Sequence, residues 1–138
     1  MCRKLIYILV LITLLLTGST PAKYTEADVE LMAKTVYGEA RGCSPEEQAL
    51  VVWCVLQRVD DGGFGESIKE VITAPGQFQG YDADNLMWED IYNLCAEEMT
   101  KWAQGEEPPT HEAYAPETPY LYFNGKNGHN WFRRFYDE

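Results

Sequence analysis

Eight consecutive apolar residues decide the fold: Ala49-Leu50-Val51-Val52-Trp53-Cys54-Val55-Leu56. The residues before them form a strong helix-start signal, since Ser44 can cap a helix and Pro45 suits its first position. Glu47 follows Ser44 at the spacing where a capping box places its acid. A helix that is apolar nearly all round is buried on every side. The sequence therefore predicts a central buried helix that begins at Pro45 and ends near Val59.

A second helix is predicted just before the central one, with an acidic residue at the edge of its apolar face. Thr25 and Asp28 have the spacing of a capping box, and Gly42 is a helix-ending residue. Glu39 lies in the last turn, about 80° from the middle of the apolar stripe. That stripe recurs at helical spacing and consists of Val29, Met32, Ala33, Val36, Tyr37 and Ala40.

The position of Glu39 suits a group that exchanges protons. Desolvation at the edge of a core and the negative end of a helix dipole both disfavour a charged carboxylate. A catalytic proton donor benefits from such surroundings. Most Glu residues near a helix end are solvated surface charges, but this location makes Glu39 the candidate general acid.

Two further helices are predicted downstream. Ser67 can cap a short helix that runs through Ile72. Asp84 or Asn85 can start a third long helix, which Gly105 would end. The apolar stripe of this third long helix is Trp88, Ile91, Tyr92, Cys95, Met99 and Trp102.

The end of the chain predicts a β-hairpin. Residues 120–123 and 131–135 are rich in aromatic residues, and residues 124–128 between them contain two glycines and two asparagines. This pattern is typical of two strands joined by a five-residue loop. The predicted class is α+β, mainly α, with a buried central helix and a small C-terminal hairpin.

Residues 1–22 have the pattern of a secretory signal peptide. Arg3 and Lys4 precede an apolar run over residues 5–16, and small residues of the kind that signal peptidases cut follow it. The run is shorter than the roughly 20 residues that a membrane span needs. We expect a secreted protein with one domain over residues 23–138; an uncleaved membrane anchor is the alternative.

The charge of the chain argues against two classes of partner. Loss of Arg3 and Lys4 with the signal segment changes the formal net charge from −11 to −13. Such a chain repels nucleic acids and anionic membranes. We therefore expect no nucleic-acid partner and no stable membrane partner after cleavage, and a polymer with few phosphates would be an easier partner. We also expect a monomer.

The cysteines predict neither a disulfide framework nor a metal site. Cys43, Cys54 and Cys95 remain after signal cleavage, and an odd number cannot all pair within one chain. No CxxC pattern is present, so structural zinc is not expected. Cys54 and Cys95 lie on apolar helix faces. Two alternatives stay open for them: buried free thiols, or a disulfide between the two. We predict no metal and no cofactor.

Several separated motifs together resemble one protein family. The motifs occur in order along the chain: Tyr37-Gly38-Glu39-Ala40-Arg41-Gly42, Gln48-Ala49, Leu56-Gln57-Arg58-Val59, Val71-Ile72, Pro75-Gly76-Gln77-Phe78 and Gly128-His129. They resemble the SleB-type cell-wall hydrolases, the catalytic domain family of spore cortex-lytic enzymes. Gln57 stands where the family usually has Asn. The resemblance implies a lysozyme-like fold and an enzyme that cleaves peptidoglycan, in the vegetative wall or in the spore cortex during germination.

Glu39 is the one acid with both a motif and a suitable environment. A single acid suffices if the muramic acid 6-hydroxyl attacks its own anomeric carbon, which is lytic transglycosylation. The resemblance implies the same activity for the family. We predict Gln77, Phe78 and Tyr81 as a substrate-binding wall. Tyr37, Arg41 and His129 are predicted to support the site without reacting.

Three other functions stay open at this stage. A two-carboxylate lysozyme would take its second acid from the loops, at Asp60, Asp61, Asp82 or Asp84. A cysteine peptidase would pair Cys43 with His129. A non-catalytic module that binds the cell wall would have no need of an acid at the edge of its core.

Overall fold

The computed structural model describes residues 23–126 and 128–136, which form four helices and one two-stranded sheet. This architecture confirms the mainly α, α+β class. The predicted signal peptide, residues 1–22, lies outside the described residues. Within the described part, no helix has the length and apolar character that crossing a membrane requires. The elements are α1 (Glu26–Ala40), α2 (Pro45–Asp61), α3 (Ile68–Thr73), α4 (Glu89–Ala103), β1 (Tyr122–Lys126) and β2 (His129–Arg133).

Helix α2 is the centre of the fold, as its apolar sequence predicts. Every residue from Glu47 to Arg58 is buried, and α1, α3, α4 and β2 all pack against this helix. The Ser44 hydroxyl accepts a hydrogen bond from the Glu47 backbone N–H at 3.3 Å, so the cap forms. The second half of the predicted capping box is wrong, because the Glu47 side chain contacts β2 instead.

Helix α1 forms as predicted and joins α2 through a short turn. Its Thr25–Asp28 capping box is complete, and the helix ends at Ala40. The side-chain amide of Gln48 in α2 then donates hydrogen bonds to the carbonyls of Ala40 (3.1 Å) and Cys43 (3.4 Å). The Ala40 carbonyl also accepts from the Cys43 backbone N–H at 2.9 Å, so the Gln48 amide adds a second hydrogen bond at the end of α1 and ties the turn to α2.

Helix α4 begins at Glu89, so the predicted start at Asp84 or Asn85 is wrong. The residues that carry this signal form a turn instead: the Asp82 carboxylate accepts from the Asp84 N–H at 2.8 Å, and the Asp82 carbonyl accepts from the Asn85 N–H at 3.0 Å. Trp88 occupies the cap position without a side-chain cap hydrogen bond. The predicted stripe is nevertheless correct at its centre, where Ile91, Cys95 and Met99 are buried.

The predicted hairpin is present, but its five-residue loop is wrong. Strands β1 and β2 are antiparallel and pair from Tyr122 with Arg133 up to Lys126 with His129. Gly128, directly before β2, has a φ of 81°. The strands thus extend through the polar residues that were predicted to form the loop.

The segment before the hairpin is tied to the polar end of α2. The Gln57 side-chain oxygen accepts a hydrogen bond from the Tyr120 backbone N–H. The Tyr120 hydroxyl donates to the carbonyls of Pro109 (2.8 Å) and Ala115 (3.0 Å). Gln57, which departs from the family pattern, therefore holds the C-terminal segment against the core.

Cys54 and Cys95 are both buried and both free, so the disulfide that the sequence left open does not form. Burial in apolar surroundings raises the pKa of each thiol to about 12. At neutral pH both therefore behave as small apolar side chains rather than as nucleophiles.

Candidate functional site

Glu39 lies in the last turn of α1 and is half-buried, as predicted. Its Oε1 accepts a hydrogen bond from the backbone N–H of Gly80, with 2.7 Å between nitrogen and oxygen. The donor comes from a residue 41 positions away, so local sequence patterns could not reveal it. One oxygen of the carboxylate is thus fixed by the backbone of another segment.

That donor belongs to residues 79–88, here called the crossing segment, which passes over the outer face of α1. A Cβ atom added to Gly38 would lie 1.7 Å from the Gly80 carbonyl oxygen. A Cβ atom added to Gly80 would lie 2.5 Å from the Gly38 carbonyl group. Only glycine at both positions permits this backbone contact, which lies one residue away from Glu39.

Two long side chains hold the crossing segment on α1. The Asn85 amide donates to the carbonyl of Lys34 at 3.0 Å and to that of Gly80 at 2.8 Å. The Lys34 ammonium donates to the carbonyl of Ala83 at 2.7 Å. The sequence pattern assigns Asn85 only to a helix start, and the one local signal for this contact is a glycine on each side of it.

Within the described residues, the side chains of Tyr37 and Arg41 contact groups other than Glu39. The Tyr37 ring packs edge-to-face on Trp88 at the end of the crossing segment, with 5.1 Å between ring centroids. The exposed Arg41 guanidinium lies 5.2 Å from the Tyr37 ring. Residues two apart on a helix point about 200° apart, so Tyr37 supports the opposite flank of the crossing segment.

The three predicted wall residues have different environments. Phe78 is 4% exposed and packs in the core, so its ring offers almost no surface to a sugar. Gln77 is exposed, and its side-chain oxygen accepts a hydrogen bond from Arg58 Nη1 at 3.1 Å. Tyr81 is half-buried and follows directly after Gly80. Gln77 and Tyr81 therefore retain solvent-accessible surface on the two sides of the Gly80 donor in the sequence, whereas the Phe78 ring packs in the core against Phe123.

Arg58 connects the wall to the hairpin. It is buried at the end of α2, and its Nε donates to the Leu121 carbonyl at 2.6 Å. Its guanidinium also lies over the rings of Phe64 (4.7 Å), Phe78 (4.9 Å) and Tyr122 (5.7 Å). A planar cation that is hydrogen-bonded at its edge and stacked on its faces holds these segments together.

His129 contacts the buried acid Glu47, which the sequence pattern assigns only to a helix cap. His129 Nδ1 lies 2.5 Å from Glu47 Oε1, and the Asn130 N–H donates to Glu47 Oε2 at 3.3 Å. The His129 ring also stacks with Tyr114, which in turn stacks on His111 with 3.8 Å between centroids. His129 therefore fixes the hairpin to α2.

Glu47 carries its negative charge in a buried position. Burial alone would raise the pKa of this carboxyl, but hydrogen bonds from His129, Cys43 and Asn130 and the charge of His129 outweigh it and lower the pKa. An ionised carboxylate only accepts hydrogen bonds, so His129 Nδ1 and the Cys43 thiol are donors to it.

This geometry argues against the cysteine peptidase alternative. Burial and the neighbouring Glu47 carboxylate raise the pKa of the Cys43 thiol to about 11. The thiol contacts Glu47 and Asn130, whose side-chain nitrogen lies 3.5 Å from the sulfur. A cysteine nucleophile needs a lowered pKa and a basic partner, and Cys43 has an acidic partner instead.

The loop acids that could act as a second carboxylate are all exposed. Asp61 accepts from the Gly63 N–H at 3.2 Å, and Asp82 accepts from the Asp84 N–H at 2.8 Å. Both carboxylates therefore stabilise their own turns. Over residues 23–126 and 128–136, no three His, Cys, Asp or Glu side chains are grouped so that they could hold a metal ion.

A separate groove of about 650 Å³ lies between α2 and α4 and shares none of the residues discussed around Glu39. It is rich in acids, among them Glu46, Glu97 and Glu106. Lys101 in this groove is paired with Glu97 and Glu98 at 2.8 Å each. The groove is therefore distinct from the candidate catalytic site.

Comparison with known proteins relates the chain to one protein family and to several spore cortex-lytic enzymes. A family model described as Cell Wall Hydrolase matches residues 42–136, which begin just after Glu39. The spore cortex-lytic enzyme of Oceanobacillus iheyensis is 32% identical over 103 residues, 71% of this chain and 37% of that protein. The one from Bacillus subtilis is 28% identical over 97 residues, 70% of this chain and 32% of that protein.

A further spore cortex-lytic enzyme, from Halalkalibacterium halodurans, is 38% identical over 60 residues, 44% of this chain and 18% of that protein. The chain thus spans less than two fifths of the length of these curated relatives. No solved structure matches the chain, so the lysozyme-like fold stays a prediction.

Proposed function

The chain belongs to the Cell Wall Hydrolase family, and from this premise we propose that it cleaves peptidoglycan with Glu39 as the general acid and base. The bond is the β-1,4 linkage between N-acetylmuramic acid and N-acetylglucosamine. One observation carries the proposal: a half-buried carboxylate at the end of α1 is fixed through one oxygen by the Gly80 N–H. The other oxygen remains to exchange a proton with a substrate.

The proposed reaction is lytic transglycosylation, in which Glu39 acts twice. The protonated carboxyl first gives its proton to the glycosidic oxygen of the departing N-acetylglucosamine, and the bond to the muramic anomeric carbon breaks. The resulting carboxylate then removes a proton from the muramic 6-hydroxyl, whose oxygen bonds to that anomeric carbon. The product is a 1,6-anhydro sugar, and no water is consumed.

The surroundings of Glu39 support one acid rather than two. The loop acids Asp61 and Asp82 accept hydrogen bonds from their own turns. Glu47 is 2% exposed and already engaged by His129 and Asn130, so it is not placed to activate water. Gln77 and Tyr81 would contact the glycan, while Tyr37, Arg41 and His129 would support the segments around the acid.

The alternative enzyme is a two-carboxylate lysozyme, and the products distinguish the two. Hydrolysis adds one water and leaves reducing muramic ends, whereas transglycosylation leaves 1,6-anhydromuramic ends. We expect anhydro ends in a mass spectrum of the released fragments, and Asp61→Asn and Asp82→Asn should retain most of the activity. Reducing ends together with loss of activity in either variant would establish the hydrolase.

The decisive variant for the whole proposal is Glu39→Gln, with Glu30→Gln on the same helix as its matched control. The amide keeps the shape of the side chain but cannot carry the proton. We expect clearing of purified cell walls to fall by about 10²–10⁴-fold or more with an unchanged fold, and Glu30→Gln to act like the parent chain. Wall clearing at the parental rate by a folded Glu39→Gln protein would refute the catalytic role. Wall binding without any clearing by the parent chain would identify a binding module.

A further inference from the structure

The crossing segment has a feature that none of the motifs contains: one side-chain amide that bonds to both of the chain segments that meet beside Glu39. Asn85 Nδ2 donates to the carbonyl of Lys34 in α1 and to the carbonyl of Gly80, at 3.0 Å and 2.8 Å. Its backbone N–H is separately bonded to the Asp82 carbonyl. Asn85 therefore links its own turn, the helix and the residue that donates to Glu39.

Gly80 is consequently held from two directions. Its carbonyl accepts from Asn85, and its N–H donates to Glu39 Oε1 at 2.7 Å. Its Cα has no freedom to move toward the helix, because the Gly38 backbone is already in contact. The position of this N–H, and with it the orientation of the carboxylate, thus depends on the amide of Asn85.

We propose that Asn85 is a positioning residue that acts through Gly80 to hold the Glu39 carboxylate in its reactive orientation. This inference rests on the proposed function of Glu39 as the proton-transferring group. A hydrogen bond from a backbone N–H favours the charged form of a carboxylate. In the proposed reaction the charged form appears once the proton has passed to the glycosidic oxygen, so the Gly80 N–H assists that step and directs the transfer to Oε2.

Lys34 contributes less to the same arrangement. Its flexible ammonium contacts the Ala83 carbonyl, three residues after Gly80, and touches neither Gly80 nor Glu39 in the described contacts. Lys34→Met should therefore loosen the middle of the crossing segment and leave the Gly80 N–H in place. Comparing Lys34→Met with a variant of Asn85 therefore separates a general loosening of the crossing segment from a specific loss of the Gly80 donor.

The test compares Asn85→Asp with Asn93→Asp, the same chemical change at an exposed site on α4. The Asp side chain keeps the shape of Asn85 but has no N–H to donate and faces two carbonyl oxygens. We expect kcat on solubilised glycan strands to fall about 10–100-fold, the range for losing a hydrogen bond to a charged group, with KM changed less than threefold. We also expect the alkaline limb of the kcat–pH profile, which reports loss of the proton that the general acid must donate, to move to higher pH. Asn93→Asp should keep parental values, and Lys34→Met should lower kcat by less than Asn85→Asp does and leave the kcat–pH profile in place.

A second measurement follows the hydrogen bond without any turnover. In the parent chain, the amide proton resonance of Gly80 should shift as Glu39 titrates, and Glu39→Gln should abolish this shift. Asn85→Asp should reduce it by more than half; if that variant does not fold, Asn85→Ala is measured in the same way. An unreduced Gly80 shift, or a folded variant with the parental kcat and pH profile, would overturn the inference. Failure of the proposed function has a different signature, namely parental activity in Glu39→Gln.

Discussion

Gly38 shows how a single missing side chain shapes the site. The residue faces away from the core, where most side chains would be tolerated, but there the Gly80 carbonyl oxygen lies 1.7 Å from where a Cβ would stand. The contact allows the Gly80 N–H to reach the neighbouring Glu39 carboxylate. Glycine is thus required at position 38 because a Cβ atom would not fit there. An unusual backbone torsion angle is not the reason, since the residue is helical.

We predict that Gly38→Ala destabilises the protein by about 1–3 kcal/mol, the usual range for overpacking at a close contact, and lowers wall clearing because Gly80 is displaced. Urea unfolding of the parent and the variant measures the stability change. Gly42→Ala is the matched control, since no atom lies within 4 Å of its added Cβ. A Gly38→Ala protein as stable as Gly42→Ala would contradict the close contact.

At the scale of elements, Glu47 lies where a capping box would place its acid, but its side chain is used in a tertiary contact instead. Ser44 caps α2 as its position predicts, but the acid three residues later leaves the cap and binds His129 and Asn130 in β2. Its partners lie more than 80 residues away along the chain. A buried carboxylate with several donors is a more stable arrangement than the local cap, and only tertiary structure supplies those donors.

The lowered pKa of Glu47 predicts how stability depends on pH. Burial opposes the shift, but the hydrogen bonds from His129, Cys43 and Asn130 keep the folded-state pKa below the ordinary 4.5, so the unfolded chain takes up the proton first. The contribution of Glu47 is therefore complete above about pH 4.5 and is lost as the pH falls through the folded-state pKa.

The experiment compares urea unfolding of the parent chain, Glu47→Gln and Glu46→Gln between neutral and acidic pH. We expect Glu47→Gln to cost about 1–3 kcal/mol at neutral pH and to lose less stability than the parent on acidification. Glu46 is exposed, so Glu46→Gln should follow the parent curve. Parallel curves for the parent and Glu47→Gln would show that Glu47 does not contribute in this way.

The same contrast between local and distant signals runs through the other elements. The caps at Thr25, Ser44 and Ser67 were predicted because a cap is made within four residues of its helix. The start of α4 was not, because the Asn85 side chain is directed to Lys34 and Gly80 and the helix begins four residues later, at Glu89. A capping residue that is recruited by tertiary contacts leaves no trace in a short window of sequence.

At the scale of the whole molecule, the buried polar end of α2 joins three regions. Arg58 binds Leu121 before the hairpin, Gln77 before the crossing segment and the ring of Phe64 after α2. The sequence predicted the buried helix and the acid at the end of α1, since both follow from periodicity. It did not predict which segments meet, because partners such as Arg58 and Leu121 are 63 residues apart.

We predict that Arg58→Lys destabilises the whole protein by about 1–3 kcal/mol, although the charge is kept. A lysine has one ammonium group and cannot bond to Leu121 and Gln77 while lying flat on the rings. Arg41→Lys is the control, because Arg41 is exposed and should change stability by less than about 0.5 kcal/mol. Equal unfolding midpoints for the two variants would show that Arg58 does not join these regions.

The contact between Tyr37 and Trp88 also gives the molecule an optical reporter. Trp88 is 49% exposed at the end of the crossing segment, whereas Trp53 is 1% exposed in the core. Water reaches the first indole and not the second, so their emission maxima and their access to a soluble quencher differ. A chain that keeps Trp88 as its only tryptophan would report in its fluorescence whether the segment beside Glu39 is seated on α1.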